Sequence, residues 1–300
     1  PVDEFGIVKI DELGKAITPS TILISVMHAN NEVGTIQPVA EISKIAKKNK
    51  IALHTDAAQS LGKIEANVNK MGVDLLSIAG HKLYAPKGIG ALYIRSGITL
   101  QKIIHGADHE QNLRAGTENV LEIAGLGKAC EIAHRDLAKN KVHLKVTRDL
   151  LHDKLIKSGL DIQLNGHPEN RLPNTLSIAF KNVEANTLLA DLKEVAASAG
   201  AACHADGVHV SDVLSAMKVP MDYAMGTIRF STGKYTTENE IDFAAKKIIE
   251  AAGKLQSQKT TIIKESENQI KLTHFTHGMG CACKLRPQDL ELILKDFPFI

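Results

Sequence analysis

The chain has 300 residues, 44% of them hydrophobic and 23% charged, and a formal net charge of +2. That length suits about two domains with a sizeable core, and the small charge gives no support to binding of nucleic acid or an anionic membrane. No apolar run nears the ~20 residues of a membrane span, and the opening PVDEFGIVKI lacks the basic start and apolar stretch of a signal peptide. Four cysteines do not make a disulfide framework at this size, so thiols in a cytoplasmic protein are expected. The absence of an initial methionine points to a fragment or a processed product.

TILISVM (21–27) is apolar and β-branched, the pattern of a buried strand. PVAEISKIAKKNK (38–50) places Pro38 at a helix start and Val39, Ile42, Ile45 and Ala46 on one face, with lysines gathered at the C-terminal end. IALHTDAA (51–58) is a second strand, so the three segments predict a βαβ unit with parallel strands. VDLLSIAG (73–80) and GALYI (90–94) add two more. Val120, Ile123, Gly127 and Cys130 share a helix face, which reads as core. KVHLKVTRDLLHDKLIKS (141–158) predicts a long amphipathic helix. In NTLSIAF (174–180), Leu176, Ile178 and Phe180 alternate as in a one-sided strand. A helix near 185–195, a strand-like turn at AASAGAAC, a strand at TIRFSTG (227–233) and a helix at 236–255 opened by a Thr237–Glu240 capping box complete a second, α+β region. Residues 256–270 are polar and read as a linker.

Chemistry-bearing residues gather where strands end. Asp56 follows one strand, His81 and Lys82 follow another, and Asn30 and Asn31 of HANNEVG follow a third. Ligands of open α/β sheets bind outside the carboxyl ends of the strands. An acid and a lysine at one such edge suit pyridoxal phosphate: the amine bonds its aldehyde and the carboxylate keeps its pyridinium protonated. An edge asparagine can hydrogen-bond a phenolic oxygen. On spacing alone, Asp56 is equally a cap acid, Lys82 a solvated lysine and the asparagines turn residues.

The motifs NNEVGTIQP, HTDAAQSLGK, SIAGHKLYAPKGIGALYI, HGADHEQNLRAGTENV, SAGAACH and IRFSTGKYTTENEID occur in the order seen in cysteine desulfurases and selenocysteine lyases. Residues 1–255 thus resemble that group of the class V aminotransferases. The resemblance implies an α/β fold, the fold type I of pyridoxal-phosphate transferases. The incomplete large domain, with a mostly parallel sheet, would span 1–135 and a smaller α+β domain 136–255. Lys82 would be the Schiff-base lysine, Asp56 the pyridinium partner, Asn31 and Gln59 contacts to the phenolic oxygen, and His81 a phosphate contact. Asn31 would also face the substrate. Arg229 would clamp the carboxylate of L-cysteine or L-selenocysteine, since a guanidinium fork matches a carboxylate bidentately. Thr117 resembles the residue that reaches the partner subunit's phosphate, which implies a homodimer; it also reads as a helix N-cap. Cys203 would take up the sulfur as a persulfide or release selenide, leaving L-alanine, and pass it to an acceptor protein. Small residues and Ala-Asp-Gly around Cys203 read as a flexible loop, and a protonated His204 beside it would favour the thiolate. Ser211 is placed to cap the helix that follows. Two departures stand out: Ala79 occupies a position often held by Ser or Thr, and an upstream segment that carries a phosphate-binding turn and a ring-stacking histidine is absent. Poor cofactor binding by this polypeptide is the expectation.

LTHFTHGMGCACKLRP (272–287) resembles the N-terminus of selenophosphate synthetases. This implies catalytic roles for Cys281 and Lys284, and places the start of a truncated second enzyme at 271–300 as a mobile tail. Its ATP- and Mg-binding body would lie downstream. A zinc site of His274, His277, Cys281 and Cys283 is the other reading, although H-x-x-H beside C-x-C is not a usual zinc spacing. A fusion that removes selenium from selenocysteine and consumes the selenide with ATP is the expected function. A general cysteine desulfurase for iron–sulfur clusters or tRNA thiolation, and a non-catalytic sulfur-carrier or interaction fragment, are its rivals.

Overall fold

The structure, a computed structural model, describes residues 1–204 and 207–265, with side chains for 1–200 and 210–257. It divides into two compact units, one of Pro1–Asp3, Ile7–Lys145 and Glu169–Pro173 and the other of Glu4–Gly6, Val146–Pro168 and Asn174 onward.

The first unit contains α1 (Ile10–Ala16), β1 (Leu23–Ser25), α2 (Val39–Lys48), β2 (Ala52–Asp56), α3 (Val68–Met71), β3 (Leu75–Ala79), a 3-10 turn (Gly80–Leu83), β4 (Gly90–Ile94), the single turn α4 (His109–Asn112) and α5 (Val120–Arg135). The sheet order is β1-β2-β3-β4. β1, β2 and β3 run parallel, and β4 closes the row antiparallel to β3. Pro38 is the N-cap of α2, as its pattern predicts, and Val39, Ile42 and Ala46 are buried against Ile24, Leu53 and Leu76 of the sheet. Ser43 takes the place expected for Ile45 in that buried face, because its hydroxyl donates to the Gly72 carbonyl at 3.0 Å. On α5 the buried face runs through Leu126 and Ala129, with Cys130 packed beside Leu83. Val120 and Ile123, expected to share that face, are 70% and 41% exposed. The helix buries its middle, at Leu126 and Ala129, because the 3-10 turn and its flanks pack there.

The second unit holds most of α6 (Leu137–Lys157), then β5 (Ile162–Asn165), β6 (Thr175–Phe180), α7 (Ala185–Asp191), β7 (Ser198–Ala199), β8 (Ala201–His204), β9 (Gly207–Val210), α8 (Asp212–Ala216), α9 (Met221–Ala224), β10 (Thr227–Ser231) and α10 (Glu238–Glu265). β5, β6, β10 and β7 make a four-stranded sheet in that order, antiparallel throughout. One face carries Leu164, Leu176, Ile178, Phe180, Ile228 and Phe230 into a core completed by Leu151, Leu155, Leu188, Ile241 and Ile248 of the helices. Burying each large side chain there contributes roughly 1.5–3 kcal/mol.

β6 corrects one expectation. It is buried at all six positions rather than on one face, since Thr175, Ser177 and Ala179 are covered as fully as Leu176, Ile178 and Phe180. The Thr237–Glu240 capping box forms in both directions: Thr237 N donates to Glu240 Oε2 at 2.8 Å, and Glu240 N to Thr237 Oγ1 at 3.3 Å. Residues 256–265, expected as linker, continue α10, because no Gly or Pro interrupts QSQKTTIIKE. Among the described residues no helix is long and apolar enough to cross a membrane.

Gly226 holds the close approach of β10 to the end of β6. Phe180 N donates to the Gly226 carbonyl at 3.0 Å, and a Cβ on Gly226 would enter the Phe180 carbonyl oxygen. Gly226→Ala is expected to destabilise the fold by about 1–3 kcal/mol through this overpacking, read as a lower midpoint of chemical denaturation.

Candidate active site

Parallel strands send their carboxyl ends to one edge. Asp56 is the last residue of β2 and pairs in register with Ser77 of β3. Three residues beyond Ser77 the chain enters the 3-10 turn that carries His81 and Lys82. Beyond β1, His28 N still donates to the Asp56 carbonyl at 2.8 Å, so the strand path continues to Asn30 and Asn31. The first unit thereby brings Asn31, Asp56, Gln59, His81 and Lys82 to one sheet edge. Asn31, Asp56, His81 and Lys82 are exposed and Gln59 is half-buried.

Local chemistry shapes each loop. Asn30 is buried, and its Oδ1 accepts from Glu32 N at 2.8 Å and Val33 N at 2.9 Å. It therefore builds the turn, while Asn31 is the exposed amide. Asp56 Oδ1 accepts from Ala58 N at 2.7 Å, which folds the chain back after β2. Gly80 precedes the His-Lys pair because a Cβ there would stand 2.7 Å from the Ile89 carbonyl oxygen. The next residue after the turn, Tyr84, is left-handed at φ 63° and lets the chain reverse toward β4.

Three side chains that the motif spacing did not single out support this edge. His28 is buried, and its Nδ1 lies 2.9 Å from Ser60 Oγ, tying HANNEVG to HTDAAQS. Burial pushes its pKa down, so the ring stays neutral. His54 bridges Ser25 Oγ at 2.7 Å and Ser77 Oγ at 2.8 Å across all three parallel strands. It stands two residues before Asp56, on the same face of the sheet. Lys63 donates from Nζ to the Gln59 carbonyl at 2.7 Å. Its neighbour Gly62 (φ 76°) abuts the turn that bears Lys82, for a Cβ there would meet Leu83 Cδ2 at 2.7 Å. Desolvation first, and the Lys82 charge second, lower the Lys63 pKa to about 8. The signal for Lys63 was present in the sequence as a lysine seven residues after Asp56, with no pattern to distinguish it from a solvated one.

Thr117 is exposed in the stretch before α5. It does not cap that helix. Asn119 holds the N-cap and its side chain accepts from Glu122 N, because the helix begins three residues after Thr117.

In the second unit, Arg229 sits in the middle of β10 and its Nη2 donates to Ser198 Oγ at 3.0 Å. Cys203 lies on β8 and pairs with Val208 of β9 in an antiparallel hairpin. The loop expected around it is a ladder instead: Val208 and Val210 favour extended backbone, and Ala201, Ala202 and Cys203 pair with β9. Ser211 caps α8 as predicted, accepting from Leu214 N at 3.2 Å. Cys281, Lys284 and the whole 271–300 segment lie outside the described residues, as do residues 266–270 of the expected linker.

A model described as aminotransferase class-V matches residues 1–243. The chain is 49% identical over 245 residues to the cysteine desulfurase IscS of Dictyoglomus turgidum, covering 81% of this chain and 62% of that protein. It is 43% identical over 267 residues to the cysteine desulfurase IscS of Methanosarcina thermophila, covering 88% and 66%. It thus spans less than two thirds of the length of these curated relatives. A solved structure described as a NifS-like protein superposes with a TM-score of 0.76 at 41% identity, over 83% of this chain and 66% of that one.

The Lys63–Lys82 pair is open to measurement. Competitive acylation followed by peptide mapping is expected to give Lys63 a titration midpoint of about 8. In Lys82→Ala that midpoint should rise, because a neighbouring cation no longer opposes protonation of Lys63. An unmoved midpoint would contradict the pairing.

Proposed function

The chain belongs to the aminotransferase class-V family, and on that premise we propose that it acts as a cysteine desulfurase dependent on pyridoxal phosphate, the cofactor of that family. The placement of Asp56 and Lys82 at the carboxyl ends of adjacent parallel strands carries this reading.

The residues present fit the cofactor. Asp56 uses Oδ1 for the Ala58 amide and remains exposed, as a pyridinium partner must. The Lys82 amine is exposed on the neighbouring turn, where it can be bonded covalently. Bound there, the cofactor supplies an electron sink for cleavage of the substrate's carbon–sulfur bond. His81 would bind the phosphate, and Asn31 and Gln59 the phenolic oxygen. Lys63, partly neutral near pH 8, is placed beside Lys82 to limit the positive charge at that edge. Arg229 would bind the substrate carboxylate through its guanidinium fork. The Cys203 thiolate attacks the substrate sulfur, a sulfur–sulfur bond forms as the carbon–sulfur bond breaks, and the carbon takes up a proton. L-Cysteine and a thiol thus become L-alanine and a persulfide, with atoms and electrons balanced.

The finer reading adds selenium and partners. L-Selenocysteine is an expected second substrate, and the 271–300 segment favours it. Its pattern LTHFTHGMGCACKLRP, with Cys281 and Lys284, resembles an enzyme that consumes selenide. Joining producer to consumer raises the effective concentration of an oxidisable intermediate. Thr117 lies exposed and uncommitted to the α5 cap, which leaves it open to the cofactor phosphate of a second copy in a homodimer. A separate acceptor protein for the persulfide is the counterpart expected of a general desulfurase.

Alanine release from L-cysteine and from L-selenocysteine tests both levels. Lys82→Ala should abolish the visible absorbance of lysine-bound cofactor. Cys203→Ser should lower sulfur transfer more than about 10²-fold, since the hydroxyl is a far weaker nucleophile at neutral pH. A marked preference for cysteine would sink the selenium reading and leave the desulfurase standing.

A further inference from the structure

The four-stranded sheet of the second unit has two chemically different faces, and β6 at its centre is buried on both. Its core face is apolar. On the other face, one row crosses every strand: Asn165 of β5 pairs with Ser177 of β6, Ser177 with Arg229 of β10, and Arg229 with Ser198 of β7. Cross-strand partners share a face, so four polar side chains stand side by side. Asn165 and Ser177 are each 1% exposed, and Asn165 Nδ2 is spent on Thr227 Oγ1 at 3.1 Å and Ser177 Oγ at 3.5 Å. Burying such a row costs free energy unless its members hold one another, and a cation in it must be held in place. One contact to the guanidinium at the far end is Ser198 Oγ, 3.0 Å from Arg229 Nη2.

The strand that carries Ser198 leads directly to the Cys203 hairpin. Gly200 N donates to the Thr227 carbonyl at 2.8 Å, and Ser211 N donates to the Gly200 carbonyl at 3.2 Å. Both legs of the 201–210 hairpin are therefore pinned at Gly200. No larger residue fits there, because a Cβ would stand 2.7 Å from Thr227 Cγ2 and 3.2 Å from Leu214 Cδ1.

We propose that Ser198 is a positioning residue for the substrate carboxylate: its hydroxyl accepts from Arg229 and fixes the guanidinium fork at the root of the strand pair that bears Cys203. This rests on the functional reading above. The bond makes the carboxylate-binding group and the base of the sulfur-accepting hairpin one rigid piece. Ser198 acts through Arg229 and contributes to binding equally in the ground and transition states, so its loss raises KM and spares kcat.

Two measurements test it. In alanine release from L-cysteine, Ser198→Ala should raise KM about tenfold and leave kcat within about twofold, the pattern of lost uniform binding. Ser198→Thr, which keeps the hydroxyl, should restore KM to near the parent value. In an Arg229→Ala background, Ser198→Ala should add nothing further. Without substrate or cofactor, modification of Arg229 by phenylglyoxal, mapped by mass spectrometry, should quicken severalfold in Ser198→Ala and not in Ser198→Thr. An active parent whose Ser198→Ala variant keeps both its KM and its modification rate overturns this inference alone. A parent that releases no alanine even at saturating pyridoxal phosphate, with Arg229 still modified faster in Ser198→Ala, supports the hydrogen bond and overturns the desulfurase reading. A loss of kcat with unchanged KM in Ser198→Ala also overturns the positioning role.

Discussion

Everything at the first unit's edge depends on the parallel register of β1, β2 and β3. Parallel pairing obliges each strand to finish on the same side, and the loops that leave them are sewn together before they diverge. His28 N reaches the Asp56 carbonyl and Ala57 N reaches the Ser77 carbonyl, at 2.8 and 3.0 Å. His54 adds a side-chain bridge from Ser25 to Ser77, over the strand that ends in Asp56. A one-residue slip of β2 would turn Asp56 into the face now filled by Leu53 and Thr55, and would break that bridge. The acid and the lysine leave the sheet at one edge because the parallel ladder sends both strand ends there.

That ladder also sets the electrostatics. Lys63 follows β2 by one compact turn, and its amine ends on the Gln59 carbonyl, within reach of the Lys82 charge. Two amines so close cannot both hold protons cheaply, and the buried one gives way first. His28 behaves alike for a different reason: burial alone keeps it neutral, so it serves as a hydrogen-bonding strut beneath the edge rather than a second charge. With these two groups set beneath the edge, Asn31, Asp56, His81 and Lys82 are the polar side chains exposed there.

How much of this is legible in the sequence follows from the range of the interaction. Alternation and helical period act over a few residues, so the strand–helix–strand unit at 21–58 and the Thr237–Glu240 box are readable locally. The carboxyl-edge position of Asp56 and Lys82 follows from parallel topology, and the specific roles come from the motifs' resemblance to known enzymes. What fails to show is whatever depends on distant packing. β6 reads as one-sided because Thr175, Ser177 and Ala179 are small or polar, yet all three are covered. Val120 and Ile123 fit a buried helical stripe, but the packing falls at Leu126 and Ala129 instead. Thr117 looks like a cap until Asn119, two residues on, takes the helix amide. Lys63 is one lysine among many until a lysine distant in sequence comes beside it.

The Cys203 segment shows why composition misleads in one direction. Alanines and glycines suggest freedom, and freedom suits a thiol that must collect sulfur and deliver it elsewhere. The backbone pairing gives a more restrictive answer. Cys203 is one rung of a two-stranded ladder, and the ladder is anchored at a glycine chosen for closeness rather than flexibility. A two-stranded hairpin is marginal without further strands or packing. The anchor bonds to Thr227 of β10, two residues before Arg229, so the group proposed to hold the substrate's carboxylate stands on the strand that roots this ladder.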